Sequence, residues 1–198
     1  IKSTLLPGLT VEIQEENPDI CVLFSPEFLS EATAQSDADN PPRNIIGMPI
    51  DDDVHRKAAE KVMKTLPDAP FSMICSSTEA ELIKYAKNTL GYLRVLHTNM
   101  FYDYAEAKGV DFSVVTKAMA EDPHSPGSTY LSPVHKTGRG AGGNCFIKDF
   151  EAFIEGYQSA HEDEEGLSFL KAARDKNLSL LKKTNKDEKI VRGVYGQK

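Results

Sequence analysis

Four short stretches of this 198-residue chain hold side chains that could do chemistry. The sharpest is Gly138-Arg-Gly-Ala-Gly-Gly-Asn-Cys145-Phe-Ile-Lys148-Asp149. Glycines so close together let backbone come near a ligand, because no Cβ stands in the way. Cys145 then falls at the start of an expected helix, where unpaired N–H groups and the helix dipole favour a thiolate. Lys148 adds positive charge one turn on, so Cys145 reads either as a nucleophile or as a small cysteine beside a tight turn. The second stretch, Glu79-Ala-Glu81-Leu-Ile-Lys84-Tyr-Ala-Lys87-Asn88, puts Lys84 and Asn88 four apart on one helix face. A cation and an amide side by side can stabilise an oxyanion; Glu–Lys pairs on a solvated face give the same pattern. The third is Ser25-Pro-Glu27-Phe28-Leu29-Ser-Glu31, after an apolar run, with two carboxylates for acid–base or ribose-binding work, or an ordinary exposed loop. The fourth is Lys2-Ser3-Thr4-Leu5, where hydroxyls at a strand end are common.

The elements that must position these residues follow from period and punctuation. Residues 1–5 are expected as a strand, Pro7-Gly8 as a turn and 9–16 as a short helix. The continuous apolar run Ile20-Cys-Val-Leu-Phe24 has the pattern of a buried parallel strand. After a loop over 26–43, a strand is expected at Asn44–Met48, a helix from Asp51-Asp-Asp53 to Leu66, and a strand at Phe71–Cys75. The period then changes. Ile83, Ala86, Leu90, Leu93, Leu96 and Met100 recur every three or four residues, with Ser77 or Thr78 as N-cap and Gly109 as stop. Such a helix of some thirty residues is ~45 Å long, enough to cross a domain and a subunit interface. Further helices are expected at Phe112–Ala120, Phe146–Ser159 and Gly166–Lys183, with a loop over 122–144.

The composition is that of an ordinary globular chain, 40% hydrophobic and 27% charged, which excludes collagen, low-complexity disorder and a disulfide miniprotein. A net charge of −7 argues against a nucleic-acid partner, and no apolar run is long enough to cross a membrane. The three cysteines, at 21, 75 and 145, have no metal-ligand spacing, so no metal is expected; their odd, sparse number fits a reducing, cytoplasmic setting. Residues 171–198 carry nine basic and three acidic side chains, either a solvated helix with a frayed tail or a contact for a polyanion.

Taken together, the motifs resemble the UDP-glucose/GDP-mannose dehydrogenase family. The resemblance runs through Lys2-Ser-Thr-Leu-Leu-Pro-Gly8, Pro26-Glu-Phe-Leu-Ser-Glu-Ala-Thr-Ala34, Pro42-Arg-Asn-Ile-Ile-Gly47, Ala80-Glu-Leu-Ile-Lys-Tyr-Ala-Lys-Asn88 and Gly142-Gly-Asn-Cys-Phe-Ile-Lys-Asp149, in order and spacing, over about residues 1–160. It implies an α/β fold: the C-terminal part of a Rossmann-like, dinucleotide-binding domain over 1–76, then a mostly helical central domain over 77–185, like that of 6-phosphogluconate dehydrogenase, and a tail over 186–198.

The activity implied is NAD-dependent oxidation of a nucleotide sugar at C6, twice, to the uronic acid used in polysaccharide biosynthesis. By position, Cys145 resembles the nucleophile, and Lys84 and Asn88 the pair that stabilises the negative oxygen. Asp149 and Thr4 match residues that position water, and Glu27 the acid–base carboxylate. Ser3, Thr4 and Glu31 match positions near the nicotinamide. Phe28, Leu29, Lys84, Asn88 and Gly142 match the sugar-nucleotide side, so the glycine loop is expected against the substrate. A homodimer through the long helix is the implied assembly. His124 stands where the family usually has an arginine that reaches a neighbouring subunit's substrate. No G-x-G-x-x-G turn for the NAD pyrophosphate and no second α/β domain for the nucleotide diphosphate are expected, so the chain reads as a fragment. Two other readings stay open: a non-catalytic helical dimerisation module, and a two-electron, 6-phosphogluconate-like dehydrogenase that has no need of the Cys145 loop.

Overall fold

The computed structural model describes residues 1–30, 33–123 and 129–196, which form two compact units, Ile1–Ala86 and Lys87–Lys198. The first turns of the long helix therefore belong with the α/β unit. Helix α1 is Leu9–Glu16 and α2 is Ala34–Asp39; strand β1 is Asn44–Met48, α3 is Asp53–Met63 and β2 is Ser72–Ser76. Strands β1 and β2 run parallel, in register from Asn44 opposite Ser72 to Met48 opposite Ser76, so α3 is a βαβ crossover. All five β1 residues are buried. Asp52 caps α3 by accepting the His55 N–H at 2.7 Å, and α3 lays Ala59, Val62 and Met63 against Ile46 and Met48.

Two expected strands of this unit do not form. Residues 1–5 contribute single hydrogen bonds, such as Ser25 N–H to the Ile1 carbonyl at 2.7 Å, and no ladder before the chain turns at Pro7-Gly8. The 20–24 run is not a parallel strand: Phe24 makes one antiparallel bridge to Gly47, with bonds of 3.0 and 2.7 Å. Its apolar residues are not all inside, since Ile20 is 60% exposed while Phe24 is fully buried. Pro26 has no N–H to extend the pairing.

Helix α4 spans Ser77–Ala107 and ends before Gly109, whose φ of 66° is the left-handed turn that a glycine adopts without strain. Its N-cap is Ser76 rather than Ser77 or Thr78. Glu79 N–H donates to Ser76 Oγ at 3.3 Å while the Glu79 carboxylate accepts the Ser76 N–H at 2.8 Å, a reciprocal capping box.

The second unit adds α5 (Phe112–Ala120), β3 (Val134–His135), β4 (Gly138–Arg139), α6 (Gly143–Ala160), α7 (Glu164–Lys183) and α8 (Glu188–Tyr195). Thus the 122–144 loop contains a small antiparallel hairpin, and most of the expected 186–198 tail is a helix. The core joins Tyr92, Val95 and Leu96 of α4 to Phe150 and Ile154 of α6 and Leu170 and Leu180 of α7. The Tyr92 and Phe150 rings stack at 3.8 Å and 7°. Among the described residues no helix is long and apolar enough to cross a membrane.

Candidate active site

In the α/β unit α4 brings Lys84 against the backbone of Glu27 and the ring of Phe28, three of the residues expected at the site. The Lys84 ammonium donates to the backbone carbonyl of Glu27, and it lies 5.5 Å from the centre of the Phe28 ring. Phe28 is buried with Phe24, Ile45 and Ala80, and its other contact is the Arg43 guanidinium, 3.9 Å from the ring centre. Burial lowers the Arg43 pKa below its ordinary value. The Glu27 carboxylate is half-exposed and pairs with Lys2 Nζ at 2.9 Å, so the group expected to do acid–base work faces outward onto a cation. Leu29 is half-buried, Thr4 is half-buried and Ser3 is exposed, in irregular backbone at the start of the chain; Glu31 lies outside the described residues.

Glu81 is the residue the sequence reading passed over. It is fully buried one turn ahead of Lys84. Its carboxylate accepts the Gly8 N–H at 2.6 Å, the Thr10 N–H at 3.0 Å and the Thr10 hydroxyl at 2.5 Å. It thereby satisfies the first N–H groups of α1 and pins the segment that carries Ser3 and Thr4 to α4. The available signal was its spacing of three from Lys84 and seven from Asn88, the inner face of the helix.

In the helical unit, Asn88 Nδ2 donates to Asp149 Oδ2 at 2.6 Å, with both residues buried. The other Asp149 oxygen accepts from the Lys148 ammonium. Cys145 is exposed in the first turn of α6, four residues before Asp149 and so on the same helix face. The Tyr130 hydroxyl is pushed above its ordinary pKa, mainly by burial and then by the nearby Cys145 thiol. His124 lies outside the described residues.

The glycine loop does not stand open. It contains the spacing G-x-G-x-x-G after all, at Gly138, Gly140 and Gly143, but it follows a two-residue antiparallel strand rather than a βαβ strand. The space its missing Cβ atoms leave is taken by this chain's own side chains. A Cβ on Gly138 would meet Thr184 Oγ1 at 2.4 Å, one on Gly140 would meet Asn177 Oδ1 at 2.9 Å, and one on Gly142 would meet Asp187 Oδ2 at 2.0 Å. This turn therefore is not a pyrophosphate cradle. Of the described residues expected toward the cofactor, Ser3 is exposed and Thr4 half-buried, and their hydroxyls are of a type that could hydrogen-bond a nicotinamide amide. A cleft of about 700 Å³ between the end of α4, α5 and 131–133, lined by Tyr102, Glu106 and Lys117 among others, contains none of the expected site residues. No group of three or more His, Cys, Asp or Glu among the described residues could hold a metal ion.

The model of the UDP-glucose/GDP-mannose dehydrogenase family, central domain, matches residues 78–179, just over half of the chain. The chain belongs to this family. It is 32% identical over 185 residues to the UDP-glucose 6-dehydrogenase YwqF of Bacillus subtilis, covering 90% of this chain and 39% of that protein. It is 31% identical over 178 residues to the GDP-mannose 6-dehydrogenase of Pseudomonas syringae pv. syringae, covering 83% of this chain and 38% of that protein. The solved UDP-glucose dehydrogenase of the hyperthermophilic archaeon Pyrobaculum islandicum superposes with a TM-score of 0.72 at 33% identity, over 90% of this chain and 40% of that one. This chain thus spans about two fifths of the length of the curated relatives it matches.

Proposed function

We propose that this chain carries the cysteine-bearing part of an NAD-dependent nucleotide-sugar 6-dehydrogenase, which oxidises the C6 hydroxymethyl of UDP-glucose, GDP-mannose or a related sugar to the carboxylate. The observation that carries the reading is the buried Asn88–Asp149 hydrogen bond one helical turn from an exposed Cys145. An amide donor, a carboxylate and an exposed thiol in one unit support this reading.

In this reading the Cys145 thiolate adds to the C6 aldehyde left by the first oxidation. A carbon–sulfur bond forms, and the carbonyl electron pair moves to oxygen. Lys84 and Asn88, on adjacent turns of α4, donate to that negative oxygen. Loss of hydride from the same carbon leaves a thioester. Water positioned by Asp149 and Thr4 then attacks, the carbon–sulfur bond breaks, and Cys145 departs as thiolate. Glu27 exchanges its Lys2 partner for the protons of these steps. Phe28, Leu29 and Gly142 contact the sugar nucleotide, with Ser3, Thr4 and Glu31 toward the cofactor. NAD, when bound beside Ser3, Thr4 and Glu31, would supply the hydride acceptor for each oxidation.

The assembly in this reading is a homodimer through α4. On one side of that helix Leu90 is 67% exposed, Met100 55% and Tyr104 60%, with Phe101 and His97 between them. A run of exposed apolar side chains along one side of a helix is the kind of surface that marks a protein–protein contact.

The test is turnover. The 198-residue chain alone, whose one G-x-G-x-x-G is filled by its own side chains, is expected to form no NADH with UDP-glucose or GDP-mannose and to bind NAD more weakly than ~1 mM. Joined to the flanking domains of a relative, it is expected to form NADH, and Cys145→Ala is expected to abolish this. Turnover that survives Cys145→Ala would sink the reading in favour of a two-electron dehydrogenase.

A further inference from the structure

The loop that delivers Cys145 to α6 is held by the link between α7 and α8. Asn177 is buried and clasps Ala141 from both sides, accepting its N–H at 2.7 Å and donating to its carbonyl at 2.9 Å. Lys186, also buried, donates to the carbonyls of Gly138 at 3.2 Å and Gly140 at 2.8 Å. Asp187 Oδ2 accepts the Gly143 N–H at 2.7 Å. Lys186 sits between two residues with left-handed backbone, Asn185 at φ 52° and Asp187 at φ 55°. That strained geometry turns two successive side chains onto the same loop.

The two side chains bring opposite charges to the start of α6. Gly143 is the first residue of the helix and Cys145 the third, so both draw on the same set of unpaired N–H groups. A carboxylate on Gly143 uses the anion-favouring end of the helix that a thiolate at Cys145 would otherwise have to itself. The ammonium of Lys186 acts in the reverse sense. The other charged or titratable groups near this turn include Tyr130, His135 and Lys136 from the preceding segment, Arg139 within the loop, which pairs with Asp103, Arg94 of α4 near Tyr130, and Lys148 and Asp149 on α6.

We propose that Lys186 and Asp187 are positioning residues for Cys145 that set its reactivity with opposite signs. Lys186 fixes the loop and brings a positive charge to it; Asp187 fixes the first turn of α6 and brings a negative charge there. The proposal rests on Cys145 being the nucleophile, but its test reads the thiol directly and needs no turnover. In the intact chain, iodoacetamide labelling at pH 7 is followed by mass spectrometry at Cys145, with the exposed Cys21 of the other unit as internal reference.

Asp187→Asn keeps an acceptor for Gly143 and removes the charge; it is expected to label at Cys145 roughly three- to tenfold faster than wild type. Lys186→Gln keeps an N–H donor for the two carbonyls and removes the positive charge; it is expected to label about threefold slower. Asp187→Gly suits the left-handed backbone at this position and removes the same charge, and it is expected to reproduce the acceleration should Asp187→Asn fold poorly. Residues that merely held the loop would change the rate in the same direction, through loosening. Equal rates, or shifts of one sign in all variants, overturn the proposal. Loss of turnover in Cys145→Ala bears separately on the dehydrogenase reading.

Discussion

Asn88 and Asp149 stand 61 residues apart in the chain, yet their side chains meet at 2.6 Å, amide nitrogen to carboxylate oxygen, away from water. This bond joins α4 to α6 alongside the stacked Tyr92 and Phe150 rings, and it makes the pair sensitive to charge. Asn88→Asp would set two carboxylates against each other in a buried place, and one of them must take up a proton. The variant is expected to lose about 2–4 kcal/mol of stability at pH 7 and to recover part of it by pH 5. Urea unfolding at the two pH values checks this; an equal loss at both would mean the pair is not electrostatically coupled.

Glu81 tests a different tie. Its buried carboxylate takes three hydrogen bonds from Gly8 and Thr10. Glu81→Ala leaves those donors without an acceptor and is expected to cost about 3 kcal/mol. Hydrogen exchange should then localise the loss to residues 1–16 before the rest of the α/β unit opens. A global loss with no early opening there would argue against the pinning role.

Asp163 supplies the acid dependence of α7. It caps the helix by accepting the Gly166 N–H at 2.9 Å, and the Tyr157 hydroxyl donates to it at 2.5 Å. The Tyr157 bond, then the Gly166 bond, hold its pKa below the ordinary value. A folded-state pKa below the unfolded one stabilises the fold above the unfolded value of ~3.9, and that contribution fades as pH falls through the folded value. Asp163→Asn is therefore expected to lower the melting temperature at pH 7. The gap from wild type should close below about pH 4, and a constant gap down to pH 2 would contradict the assignment.

The exposed side of α4 makes a prediction about assembly. Light scattering at tens of micromolar is expected to show a dimer, with an interface above ~1,200 Å². Leu90→Glu combined with Phe101→Glu, both on exposed positions, should give a folded monomer. A wild-type monomer under those conditions removes α4 as the dimer contact.

Several elements were legible because their causes are local. The three-to-four spacing from Ile83 to Met100 with Gly109 as stop marked α4, and α5 at Phe112–Ala120 and β1 at Asn44–Met48 form where they were expected. The motifs around Lys84, Asn88 and Cys145 likewise carried the family. What escaped was whatever depends on a distant partner. The run at 20–24 reads as a parallel strand, but the position of Gly47 and the missing N–H of Pro26 reduce it to one antiparallel bridge. The residues after Lys186 read as a tail by charge, yet α8 forms there and the Tyr195 hydroxyl is raised by burial and by Glu151. Glu81 looks like a surface acid on a charged helix until α1 is placed against it. The glycines before Cys145 announced that something must come close. Sequence could not say that Thr184, Asn177 and Asp187 are what comes, because a glycine records the absence of a Cβ and not the identity of the atom that takes its place.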